Sequence, residues 1–134
     1  MKIITEMLSD EVFEARNEHG NSVTIDMRPS SVKKDQSPVE LVLSALAACG
    51  AVDIVSILKK RKKSIDSFLI ETTGTRREET PRSFTAIHCH YVIRSKDVDT
   101  EELHKAAALS LEKYCSVAAS LKAEITFSVQ VDNL

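Results

Sequence analysis

Tryptophan is absent from this 134-residue sequence, and four phenylalanines and two tyrosines are all that remain to build an aromatic surface. Platforms for stacking nucleobases are therefore not expected. Charge of one sign is lacking too: 18 basic residues against 20 acidic ones leave a formal net charge of −2. That balance excludes a broadly electropositive, nucleic-acid-binding surface. The longest weakly polar run, Leu41 to Leu58, is broken by Ser44, Asp53 and Ser56. It reads as a buried helix of a soluble protein, not a membrane span. Met1-Lys2-Ile3-Ile4-Thr5-Glu6 is too short and too polar for a signal peptide, so a cytoplasmic location is expected. Without a secretory signal, three cysteines argue for thiols over a structural disulfide framework. No repeat, low-complexity tract or linker divides the chain, and residues 1–134 are expected to form one domain.

What is present is a regular succession of elements. Lys2 to Asn17 alternates like two short strands with a turn at Ser9-Asp10, and His19-Gly20-Asn21 supplies a stronger turn. Ser22 to Met27 follows as a third strand, with Val23 and Ile25 alternating against Thr24 and Asp26. Arg28 to Gln36 is a polar loop. Ser37-Pro38-Val39-Glu40 then opens a helix with three separate signals: a serine N-cap, proline at the first helical position, and glutamate at N3 completing a capping box. The helix runs toward Leu58 and ends in the basic stretch Lys59 to Lys63, which suits the negative end of the helix dipole. Apolar residues occupy most of its circumference, so it is expected inside the protein, wrapped by sheet.

Phe68 to Thr75 and Ser83 to Ile93 alternate as strands. In the second, Ile87, Cys89, Tyr91 and Ile93 share one face and Phe84, Ala86, His88 and His90 the other. Asp99 and Glu102 form another capping box before a helix striped by Leu103, Ala107, Leu111 and Tyr114. A break or restart is expected near Cys115-Ser116, and Glu124 to Val131 closes the chain as a strand. The order β-β-β-α-β-β-α-β defines an α+β fold with antiparallel sheet around a helical centre. Six short strands from one small chain do not easily cover a helix that is apolar on several sides. A second subunit would.

Two cysteines fall on helices. Cys49 lies among small neighbours in Leu46-Ala47-Ala48-Cys49-Gly50-Ala51, and Cys115 lies near the start of a short helix. Read from the residues alone, both are small buried hydrophobes, as most free cysteines are. However, Ser37-Pro38-Val39-Glu40-Leu41-Val42-Leu43-Ser44-Ala45-Leu46-Ala47-Ala48-Cys49, with Ala51 to Lys60 after it, resembles the first-cysteine helix of the OsmC/Ohr family. Leu109-Ser110-Leu111-Glu112-Lys113-Tyr114-Cys115-Ser116-Val117 resembles its second-cysteine motif, and the element order matches over nearly the whole chain.

The resemblance implies an intertwined homodimer in which sheets enclose long central helices, with a site at the subunit interface. It also implies a thiol-dependent reduction of organic or small hydroperoxides, with Cys49 peroxidatic, Cys115 resolving, and a dithiol as reductant. No cofactor, nucleic acid or membrane enters that chemistry. The acidic residue that follows the helix-opening proline in the peroxidase branch is Val39 here, and the glutamate comes one residue later. One residue turns a side chain by about 100° around a helix, so Glu40 does not replace it. Ser116 likewise stands where that branch has proline, and Lys-Tyr-Cys-Ser-Val resembles a less characterised OsmC-like branch. Redox sensing, exchange with other thiols, and non-enzymatic binding of an apolar small molecule in a cysteine-lined pocket remain alternatives.

A free thiol titrates near ~8.5, and a shift to about 6.5 needs roughly 2.7 kcal/mol. A helix N-terminus supplies about 0.3–1 kcal/mol and at best about 2. Cys115 is placed for that help and Cys49, far past the cap, is not. Asp53, one turn beyond Cys49, would oppose ionisation. A cation must therefore approach Cys49 if it is to be strongly nucleophilic, and the resemblance, which implies an arginine from the N-terminal hairpin or loop, makes Arg16 and Arg28 the candidates. His88-Cys89-His90 does not read as a metal site, because on a strand the imidazoles and the thiol point to opposite faces. Lys59 to Lys63 reads as a solvated helix end, and His19 and His104 as surface residues.

Overall fold

The computed structural model describes residues 1–133, in two compact units that divide after residue 42. In the N-terminal unit, β1 (Ile3–Ser9), β2 (Val12–Asn17) and β3 (Ser22–Asp26) form an antiparallel meander in the order β1-β2-β3. The β2–β3 turn is closed by Gly20 at φ +85°, where a side chain would be strained, and by Asn17, whose Oδ1 accepts the N–H groups of His19 and Asn21.

At the end of β3, Asp26 loses all contact with solvent beneath the loop that follows. One carboxylate oxygen accepts the backbone N–H and Nε of Arg28, both at 3.0 Å. The other accepts Arg28 Nη2 at 2.7 Å and the N–H of Lys34 at 2.9 Å. These bonds from Arg28 and Lys34 hold the Asp26 carboxyl well below the usual carboxylate range, against an opposing effect of burial. The residue that looked like the end of a strand thus organises the polar loop.

Helix α1 (Pro38–Lys60) begins as the sequence requires. The N–H of Ser37 donates to Glu40 Oε2 at 3.0 Å and the N–H of Glu40 to Ser37 Oγ at 3.4 Å, the reciprocal capping box. By length and composition α1 could cross a membrane. In the single chain it buries one stripe, Leu46, Gly50, Ile54 and Leu58, spaced one turn apart. Val52, on another face, is 69% exposed. The C-terminal unit therefore leaves that face of the helix uncovered.

The C-terminal unit adds β4 (Ser67–Arg76), β5 (Phe84–Ser95), α2 (Thr100–Leu109), a π turn (Ser110–Tyr114), α3 (Ser116–Ala119) and β6 (Glu124–Asn133). The α+β class and element order expected from the sequence are thus present. The sheet order is β4-β5-β6, and one pairing departs from the all-antiparallel expectation: β5 and β6 run parallel. A parallel neighbour needs a crossover, and the helical segment 100–119 is long enough to return the chain to the starting edge. β5 buries Ile87, Cys89, Tyr91 and Ile93, which pack with Leu46, Ile54 and Leu58 of α1 and Leu103, Ala106 and Ala107 of α2 in one core. Tyr91 sits at its centre, with ring centroids 6.0 Å from Phe68 and 6.4 Å from Phe127.

Candidate functional site

Cys49 and Cys115 are delivered to each other by two different local devices. Cys49 follows from the continuous turn count of α1, one position before the buried stripe residue Gly50. Cys115 follows from an interruption. After α2 the helix widens into the π turn, whose last bond runs from the N–H of Cys115 to the carbonyl of Ser110 at 2.8 Å. Such widened turns occur disproportionately at functional sites. Cys115 then leaves helical geometry (φ −74°, ψ 103°) and becomes the N-cap of α3, its sulfur accepting the N–H of Ala118 at 3.4 Å. The restart expected near Cys115-Ser116 is this cap.

The Cys49 thiol lies close enough to Cys115 to act on its ionisation, and all three cysteines are free. Their settings differ. Cys115 is 3% exposed, whereas Cys49 is half-buried. Burial pushes the Cys115 thiol above its ordinary range; the Ala118 N–H pulls it down, and the adjacent Cys49 thiol pushes it up further. Cys115 therefore holds its proton at neutral pH. On its outer side Cys115 borders a groove formed with Leu111, Lys113, Ala118, Ala123 and Ile125.

Behind the thiols lies a polar layer that residue patterns did not single out. Ser110 is fully buried, and its Oγ donates toward Asp53 Oδ2 at 2.9 Å and the carbonyl of Gly50 at 3.3 Å. Asp53, expected as a charge opposing ionisation of Cys49, thus turns its carboxylate to a hydroxyl. Tyr91 is fully buried, and its hydroxyl makes no directed hydrogen bond. The sulfur of Cys89, a weak acceptor, is its polar neighbour. Burial raises the Tyr91 phenol far above its ordinary range, and negative charge on Cys89, Cys115 or Asp53 would raise it further. The sequence carried faint signals of this layer: a glycine inside a long helix, and a serine between Leu109 and Leu111 on an apolar stripe.

The two candidate cations belong to the N-terminal unit. Arg28 is held on Asp26 by its Nε and Nη2, while Arg16 pairs with Glu14, two residues back on β2, and stays half exposed. His88 and His90 share the outer face of β5. Both reach Ser128 Oγ, at 2.9 and 2.6 Å, and His88 also reaches Thr126 Oγ1 at 2.7 Å. Cys89 points to the opposite face, into the core, where burial raises its thiol. Among the described residues no group of three or more His, Cys, Asp or Glu side chains is placed to hold a metal ion. His104 is exposed as expected, but it has a partner, the ring of Phe127 at 4.9 Å.

The element order β-β-β-α-β-β-α-β places the chain in a class of α+β proteins. Residues 31–130 match the family model described as OsmC-like protein, and the chain belongs to that family. It is 38% identical to Protein YhfA of Escherichia coli (strain K12) over 121 residues, 89% of each chain. A chain solved in a structural-genomics effort superposes with a TM-score of 0.90 and 33% identity, covering 100% of both. The organic hydroperoxide resistance protein OhrB of Bacillus subtilis shares the fold at 15% identity and a TM-score of 0.64, with 98% of each chain covered. The family match contains all of α1, so its apolarity is that of the central helix of a soluble fold.

Proposed function

We propose that this protein is a thiol-dependent reductase of organic or small hydroperoxides, with Cys49 attacking and Cys115 resolving. The proximity of two free thiols of unequal exposure supports the reading. The half-buried Cys49 is the sulfur a peroxide can reach, and Cys115 waits beside it with its proton retained.

Chemically, the Cys49 thiolate attacks one peroxide oxygen, the O–O bond breaks, and the leaving alkoxide takes a proton to depart as the alcohol. Cys49 is then a sulfenic acid. The Cys115 sulfur attacks it, the S–O bond breaks, and water leaves as the disulfide forms. A dithiol restores both thiols and is itself oxidised to a disulfide. The distant fold relationship to OhrB supports the reaction class. Val39 and Ser116, which depart from the peroxidase-branch pattern, favour a second reading in which the same pair senses oxidant or exchanges with other thiols. A homodimer is part of the proposal, since α1 presents Val52 and Tyr114 of the π turn is 54% exposed.

The test is incubation of reduced protein with cumene hydroperoxide and a dithiol, following consumption of both. Turnover that disappears in Cys49→Ser supports the peroxidase. One equivalent of Cys49–Cys115 disulfide without turnover would assign the pair to sensing or exchange. No loss of thiol at all refutes the redox reading and leaves a pocket that binds apolar molecules.

A further inference from the structure

We propose that Ser110 is a positioning residue that sets the approach of the Cys115 sulfur to Cys49, using Asp53 as its anchor; the proposal rests on the dithiol reading above. Ser110 bonds in two directions at once. Its carbonyl accepts the N–H of Cys115 at 2.8 Å, closing the π turn. Its hydroxyl reaches α1, at Asp53 Oδ2 (2.9 Å) and at the carbonyl of Gly50 (3.3 Å). Two hydrogen bonds therefore link the backbone of Cys115 to the residue that follows Cys49.

Asp53 stands one turn beyond Cys49, so the same bonds also fix the rotation of α1 against the π turn. Gly50 makes this closeness possible. A Cβ there would lie 3.0 Å from the Tyr91 hydroxyl and 3.6 Å from Ser110 Oγ. A buried serine needs some partner to avoid an unmet hydroxyl. Placing that partner on the helix that carries the other thiol turns an ordinary requirement into a strut between the two sulfurs.

The strut acts on one step. Once Cys49 is a sulfenic acid, it either condenses with Cys115, losing water, or meets a second hydroperoxide and becomes a sulfinic acid as that peroxide is reduced to its alcohol. Attack by Cys115 requires aligned sulfurs, and misplacement by about 1 Å can slow such a step on the order of a hundredfold. Ser110→Ala keeps the backbone bond to Cys115 and removes the link to α1. The disulfide-forming step is expected to slow by roughly tenfold or more, and sulfinic acid per turnover to rise in the same proportion.

The experiment uses the full-length protein and cumene hydroperoxide. Stopped-flow thiol loss and intact mass separate sulfenic acid, disulfide and sulfinic acid in wild type, Ser110→Ala, Asp53→Ala and Asp53→Asn. Asparagine still offers an oxygen to Ser110 Oγ, so Asp53→Asn should lose far less than Asp53→Ala. That rescue would not follow from a general loosening of the core. Equal partition in wild type and Ser110→Ala overturns the proposal, as do equal losses in the two Asp53 variants, which also decide the matter if Ser110→Ala fails to fold. Wild-type protein that forms no Cys49–Cys115 disulfide overturns the dithiol reading and this proposal together. Wild-type disulfide with an unaltered variant partition overturns the positioning role alone.

Discussion

Gly50→Ala is the substitution that probes the packing beneath the thiols most directly. In the interior of an exposed helix it would stabilise, because alanine is favoured over glycine by about 0.8–1.0 kcal/mol. Here the added Cβ meets Tyr91 Oη at 3.0 Å, with Ser110 Oγ at 3.6 Å and Tyr91 Cζ at 3.9 Å. The last two are ordinary contacts and the first is not. Tyr91 cannot easily retreat, since it is fully buried with its ring beside those of Phe68 and Phe127. Forcing one carbon into a packed core costs about 1–3 kcal/mol. The balance for Gly50→Ala is thus a loss of roughly 0–2 kcal/mol.

Tyr91→Phe removes the one close atom. It also removes a buried hydroxyl that makes no directed hydrogen bond, so by itself it should be neutral or stabilising. In the Tyr91→Phe background, Gly50→Ala should recover the full helical gain of about 1 kcal/mol. The double-mutant cycle therefore predicts a coupling of about 1–3 kcal/mol, equal to the overpacking cost. Urea unfolding at one fixed protein concentration measures all four proteins, the fixed concentration removing any contribution from association. A coupling within about 0.5 kcal/mol of zero would refute the reasoning, because the helix would then have moved to accommodate the methyl.

Two further outcomes are expected. Asp26→Asn removes a carboxylate whose folded-state pKa is depressed by Arg28 and Lys34, so its contribution to stability is present above the unfolded carboxylate range and fades as pH falls through that range toward the lower folded value. The variant should be less stable than wild type at pH 7 and converge with it in acid; a stability gap that does not narrow on acidification counts against the Asp26–Arg28 assignment. Val52→Asp places a charge on the exposed face of α1, where a valine side chain buried by a second copy would be worth about 1.5–3 kcal/mol. Analytical ultracentrifugation should find a wild-type dimer and a variant at least about tenfold weaker in self-association; a monomeric wild type removes the homodimer from the proposal.

The parts of this fold that were legible in the sequence are those set by local chemistry. Ser37, Pro38 and Glu40 specify a helix start through bonds among four consecutive residues, and both reciprocal bonds are present. Asp99 and Glu102 do the same at α2. Alternation along β5 assigned Cys89 inward and His88 and His90 outward, because a strand has a period of two. The parallel β5–β6 pairing was not legible. Residue alternation in β6 is identical for either direction, and only the handed path of the connecting segment decides it. Asp26 escaped for a related reason: an acidic residue at a strand end looks solvated until the backbone of Lys34, eight positions later, folds over it.

The site divides along the same line. Cys49 and Cys115 stood out as helical cysteines, and the family resemblance suggested bringing them together. Ser110 did not stand out, since its importance depends on a pairing across 57 residues with Asp53 and on a helical turn one residue wider than usual. That extra residue is what makes the second cysteine available. Had α2 continued with a regular 3.6-residue repeat through Cys115, the next turn would have carried this side chain forward as one more member of the helical stripe. Widening the turn at Ser110 ends the helix early, frees Cys115 to take an extended backbone, and lets α3 restart with the thiol as its cap. The residue whose carbonyl closes the widened turn is also the one whose hydroxyl grips α1. The break in the helix and the tie to α1 thus meet at one residue, through its backbone and its side chain respectively, and Ser110→Ala removes the second while leaving the first in place.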